Sequence, residues 1–119
     1  MKMLIVEDDP YTQKILQSIL SREGHTVFFS PSGKAGLLST KQLVPDLILL
    51  AIPFSDSDGF LFLKKLRTAP ETESIPVIIF LNKSQADTQT KYMLAGASAC
   101  LEKPFRPWRL LAQIEALHR

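Results

Sequence analysis

Four consecutive aliphatic residues, Leu47-Ile48-Leu49-Leu50, lie between Pro45-Asp46 and a loop rich in Pro, Ser and Asp that closes at Asp58-Gly59. The run is too short for a free-standing helix and shows no polar alternation, so it reads as a strand buried on both faces. Such a strand belongs at the centre of a parallel sheet covered by helices, and the rest of the chain must supply neighbours and covers. In sheets of this kind, ligands and chemistry collect just past the carboxyl ends of the strands. The residue at that tip is Ala51, whose methyl group can perform no chemistry.

The flanking sequence supplies the missing elements. Met3 to Val6 is a short apolar strand stopped by Glu7-Asp8-Asp9-Pro10, with Asp9 placed to N-cap a helix and Pro10 at its first position. Ile15, Leu16, Ile19 and Leu20 recur at helical spacing, Gly24 ends that helix, and His25 to Phe29 predicts a second strand. Ser30-Pro31-Ser32-Gly33 is a turn before a weaker helix through Ala35, Leu37, Leu38 and Leu43, stopped by Pro45. Past the central strand, Asp58 is expected to cap a helix whose apolar side is Phe60, Phe62, Leu63 and Leu66. Ile75 to Leu81 predicts a fourth strand, Ser84 to Leu94 a helix closed by Gly96, and Ala97 to Leu101 a fifth strand. After Lys103-Pro104-Phe105 a last helix carries Trp108, Leu110, Leu111, Ile114 and Leu117. Five strands alternating with five helices predict an open α/β sheet with right-handed crossovers.

At 119 residues the chain is long enough for one domain, residues 1–119, and too short for two. A hydrophobic share of 45% and a formal charge of only +2 describe an ordinary soluble globule with no nucleic-acid footprint. The cluster Lys64-Lys65-Arg67 reads as the solvated outer face of a helix. The lone Cys100 forbids an internal disulfide, and no stretch has the length of a membrane span or a secretory leader. The expected location is the cytoplasm.

The strand tips bring together Glu7 and Asp8, then Ala51, then Leu81 and Asn82, then Lys103. Two carboxylates facing a lysine can hold a hard cation such as Mg²⁺ and steady an anion, or can simply neutralise one another at the surface. Together with Val6-Glu7-Asp8-Asp9, Pro45 to Leu50, Asp58-Gly59-Phe60, Ile75-Pro76-Val77-Ile78, Gly96-Ala97 and Lys103-Pro104-Phe105, the whole chain resembles the receiver domain of bacterial two-component response regulators. The resemblance implies a single doubly wound, flavodoxin-like (βα)5 domain, with strand order 2-1-3-4-5 and helices on both faces. It also implies a mechanism. An Asp at the third strand tip accepts a phosphoryl group, beside Mg²⁺ held by the acidic pair, that Asp and a backbone carbonyl two residues on. A Ser or Thr on the fourth strand and a Lys on the fifth bind the phosphoryl oxygens, and an aromatic residue on the fifth strand changes rotamer.

Against that pattern Glu7, Asp8 and Lys103 match, while Ala51 stands in place of the phosphoacceptor and Leu81 in place of the switch hydroxyl. Cys100 replaces the aromatic, and Ser55 the loop proline. No nucleophilic oxygen remains at the tip, so no catalytic residue is assigned and the chain is not expected to be an enzyme. A site missing one carboxylate is expected to hold Mg²⁺ weakly or vestigially, through Glu7, Asp8 and the carbonyl of Pro53; no other cofactor is expected. Lys103 is expected to pair with Asp8 or Glu7. Asp56 and Asp58 are poor substitutes as nucleophiles, the first exposed and the second a cap. The alternatives are a normal phosphoacceptor of a phosphorelay carrying an engineered Ala51, which leaves Leu81 and Cys100 unexplained, and an unrelated flavodoxin-like enzyme, for which no phosphate loop or nucleophile–base pair exists.

A pseudo-receiver of this kind is expected to act by binding proteins, a sensor kinase or an output or adaptor protein, and neither nucleic acid nor membrane. The resemblance points to the face made by the fourth helix, fifth strand and last helix, here Lys91, Tyr92, Ala99, Cys100, Trp108, Arg109 and Leu111, with Trp108 either the anchor or packed back over its own helix or against Pro107. Leu61 is a second exposed-looking apolar residue, placed to extend a patch on the third helix or to pack beside Lys65. Ser98, Ala99, Arg109 and Gln113 do not supply the charged pairs of the family's dimers, so a monomer or weak homodimer is expected. With no output domain after Arg119, the chain reads as a stand-alone adaptor or one domain of a longer protein.

Overall fold

The Leu47–Ala51 strand (β3) is buried along its whole length, and the sheet is built outward from it. The computed structural model describes residues 1–51, 59–82 and 88–118. The expected cap Asp58, the loop residues Ser55 and Asp56, and the start of a helix at Ser84 fall outside these. In chain order the elements are β1 (Lys2–Val6), α1 (Pro10–Arg22), β2 (Thr26–Ser30), α2 (Gly33–Leu43), β3, α3 (Gly59–Thr68), β4 (Val77–Leu81), α4 (Gln89–Leu94), β5 (Ala99–Glu102) and α5 (Pro107–His118). The strands are all parallel in the order β2-β1-β3-β4-β5. This is the doubly wound, flavodoxin-like arrangement.

Strand periodicity sorts the core into two layers. Leu4, Val6, Ile48, Leu50, Ile79 and Leu81 face one side, where Phe62, Leu63 and Leu66 of α3, Leu37 of α2 and Tyr92 of α4 cover them. Met3, Ile5, Leu49, Ala51, Ile78 and Phe80 face the other, under Leu16 and Leu20 of α1 and Leu110 and Ile114 of α5. Gly36 lets α2 lie close on the sheet: a Cβ there would sit 2.9 Å from Val6 Cγ2 and 3.2 Å from Phe62 Cε2.

Local chemistry sets the ends. The Asp9 carboxylate accepts from the Thr12 amide at 3.0 Å and caps α1, with Pro10 in its first turn. Ser32 caps α2 by accepting from Ala35 N, so the expected turn doubles as a cap. The second strand starts one residue later than the sequence predicts, at Thr26, and two others start two residues later. Pro76 has no N–H and Ile75 N donates to Thr72 O in the preceding turn, so β4 begins at Val77 rather than Ile75. Ala97 N closes the end of α4 on Tyr92 O, so β5 begins at Ala99 rather than Ala97. Arg67 also departs from its expected place on a solvated face. Its guanidinium donates to the carbonyls of Gly96, Glu73 and Ile75, which ties the end of α3 to two loops.

Candidate functional site at the carboxyl edge of the sheet

Glu7 leaves β1 with its amide still in the sheet, donating to Ser30 O at 2.9 Å. Its side chain turns inward and is only 6% exposed. Oε2 accepts from the amides of Asp8 (3.0 Å) and Asp9 (3.2 Å), and Oε1 lies 3.9 Å from Lys103 Nζ. Gln13 Nε2 donates to the Glu7 carbonyl at 2.6 Å, fastening the loop to α1. Asp9 spends its carboxylate on Thr12; the Thr12 hydroxyl, then its amide, hold that carboxyl below its ordinary pKa.

Lys103 is placed by its backbone, whose N–H donates to Leu81 O at 2.6 Å beyond the last rung of β4 and β5. Its ammonium is 5.8 Å from the centre of the Phe80 ring, which packs on Phe105 with centroids 5.1 Å apart. Lys103 therefore pairs with Glu7 rather than with the exposed Asp8. Among the described residues, Asp8 is left as the one carboxylate of the pair not engaged by backbone amides. That is a thin donor set for an octahedral, oxygen-seeking ion. The carbonyl of Pro53 lies outside the described residues. No group of three or more His, Cys, Asp or Glu among those described is arranged to hold a metal ion.

In the other half of the edge, the last residues of the two strands are hydrocarbon, and the exposed Asn82 follows the second of them. Ala51 is 3% exposed, in register with Phe80, and belongs to the layer under α1 and α5. Leu81 is buried in the opposite layer with Val6, Leu50 and Tyr92. Cys100 packs half-buried against that layer, and burial pushes its thiol pKa up.

The expected docking face does not hold together as one surface. Tyr92 is buried, its ring stacked on Phe60 with centroids 4.0 Å apart, and Ala99 is buried under α5. Neither can meet a partner. Cys100 and Arg109 share a groove with Gln89 and Glu102, while Trp108 and Leu111 line a different one with Met1, Glu23 and His25. The two grooves diverge because 108 and 109 are adjacent on a helix and point about 100° apart. Trp108 is 65% exposed, so it does not fold back into the core. Lys91 is exposed on α4.

The response regulator receiver domain model matches residues 3–115. The chain belongs to that family. Among its relatives, the cell cycle transcriptional regulator CtrA of Caulobacter vibrioides is 33% identical over 119 residues, which is all of this receiver and 51% of CtrA. Protein PilH of Pseudomonas aeruginosa is 33% identical over 116 residues, covering 98% of this receiver and 96% of PilH. The receiver thus spans about half the length of CtrA, and likewise 51% of KdpE of Escherichia coli. A response regulator from Chloroflexus aurantiacus superposes with a TM-score of 0.93 at 27% identity, over 99% of this receiver and 98% of that chain. The BeF3-activated N-terminal receiver domain of Klebsiella pneumoniae RstA gives 0.89 at 25% identity, over 98% and 97%. Among the described residues no helix is long and apolar enough to cross a membrane.

Proposed function

We propose that this receiver, one domain over residues 1–119, signals without a covalent phosphoryl group, as a protein-interaction module. The observation that carries the reading is Ala51. A methyl group occupies the tip of β3, inside the apolar layer, and phosphoryl transfer needs an oxygen nucleophile there. Leu81 supports it, because a buried isobutyl group offers a phosphoryl oxygen no hydrogen bond. Glu7 supports it from the other side, its carboxylate folded onto loop amides and paired with Lys103. Mg²⁺ binding is accordingly weak, resting on Asp8. The partner is a protein, a sensor kinase or an output or adaptor domain, met in the cytoplasm by a monomer or weak dimer.

The test is radiolabelling by a small phosphodonor with Mg²⁺, on native protein, Ala51→Asp, and Ala51→Asp with Leu81→Thr. No label on the native protein or on Ala51→Asp is expected. Label on Ala51→Asp alone shows a pocket one residue from working, the condition of an ordinary phosphoacceptor disabled at one position. An adduct on native protein, sensitive to hydroxylamine as an acyl phosphate is, defeats the reading.

A further inference from the structure

The helices α2 and α3 contain no acidic residue and carry Lys34, Lys41, Lys64 and Lys65, all exposed and none in an ion pair among the described residues. Lys34, Leu38 and Lys41 follow one another at helical spacing along α2, as Leu61 and Lys65 do along α3. Leu38 is 61% exposed and Leu61 46% exposed, so each helix presents an unburied leucine between or beside its lysines. Between the helices runs a groove of about 250 Å³, with Lys41 and Lys65 on its two sides and Leu37, Leu66 and the buried Thr72 among its lining. Thr72 donates its hydroxyl to Leu66 O. Of the lining side chains that stay exposed, Lys41 and Lys65 are cationic and Thr68 turns its hydroxyl onto Lys65 O.

We infer that the α2–α3 face docks an acidic segment of a partner protein, with an apolar side chain of that segment in the groove and flanking carboxylates on Lys41 and Lys65. Charge complementarity selects the occupant. Positive charge on two adjacent helices, with no ion pair to it among the described residues, attracts carboxylates and speeds their encounter, and exposed leucines add apolar area that a purely ionic partner would not use. The concave groove favours an inserted side chain over a flat lipid surface. Leu61 thereby acquires a role that neither the core nor the strand tips give it. The inference rests on the interaction-module reading only for its meaning in signalling; peptide binding is measured with no phosphodonor, so the two fail separately.

The experiment is fluorescence anisotropy of a labelled peptide repeating Glu-Leu-Leu-Glu, against its Gln-Leu-Leu-Gln counterpart, with the full chain. Saturable binding of the acidic peptide alone is expected, weakening as salt shortens the Debye length. Lys41→Glu with Lys65→Glu is expected to weaken it about tenfold or more, and Leu38→Ser by a smaller factor. Both lysines are exposed, so a circular dichroism melt should be unchanged; if the reversal does not fold, Lys41→Gln with Lys65→Gln reads the same contact. Absent binding, binding indifferent to these changes, or preference for phosphatidylglycerol vesicles or duplex DNA over the peptide overturns the inference.

Discussion

Where β1 and β5 end, this receiver has a buried carboxylate facing a lysine; the last residues of β3 and β4, Ala51 and Leu81, are a buried methyl and a buried isobutyl group. The polar half has structural duties of its own. Glu7 satisfies two loop amides that would otherwise lack a protein acceptor, and the Lys103 amide extends the β4–β5 ladder. The apolar half has merged with the core layers on either side of the sheet. At this edge the side chains that stay polar also hold the backbone, and those at the ends of β3 and β4 are packing.

That contrast can be broken by stability measurements. If Leu81 is core, Leu81→Ala costs about 2–5 kcal/mol, the range for truncating a buried leucine; a loss under about 1 kcal/mol in a denaturant titration would return it to the site. Glu7→Ala should cost about 1–3 kcal/mol, since it strips the acceptor from the Asp8 and Asp9 amides. Lys103→Met should cost less than about 1 kcal/mol, because the pair is long and the lysine side chain 31% exposed. Equal effects of the last two would mean that the ion pair, and not the amides, holds Glu7.

A control lies at the opposite edge of the sheet, away from both halves. Val44 ends α2 at φ 46°, left-handed backbone that a β-branched residue adopts at a cost of about 1–2 kcal/mol. Val44→Asn should therefore raise stability by about 1 kcal/mol, read as a shift in the denaturation midpoint at constant slope.

Smallest in energy is the behaviour of Cys100. Burial raises its pKa, so the thiol stays neutral; the stability linked to that neutral form is whole below the ordinary cysteine pKa and is lost as pH climbs through the raised value. Iodoacetamide should alkylate the folded protein more slowly than the urea-unfolded chain at pH 8, and an equal rate would mean an accessible, reactive thiol within β5.

Much of this was readable before any coordinates. Leu47 to Leu50, Asp9-Pro10 and Gly24 each carry their signal in a few neighbouring residues, so the central strand, the α1 cap and its end follow directly. At Ala51 and Leu81 the expectation came from another source, the family resemblance, which names the residue types usual at those tips. The burial of Tyr92, the separation of Trp108 from Arg109, and the role of Arg67 were not readable. Whether Tyr92 stacks on Phe60 or meets solvent depends on the rotation of a six-residue helix with no clear period. The divergence of Trp108 and Arg109 depends on how α5 sits on the sheet. Arg67 looked like its lysine neighbours because the carbonyls it reaches, from Glu73 to Gly96, are assembled only by the fold.

The most direct measurement is the amide NMR spectrum of native protein before and after beryllofluoride and Mg²⁺, which together mimic a phosphoryl group on a carboxylate. With Ala51 at the tip, cross-peaks are predicted to stay in place, apart from small Mg²⁺ shifts near Asp8. Large, saturable shifts through the ends of β3, β4 and β5 would show a site that still accepts the group, and would contradict the account.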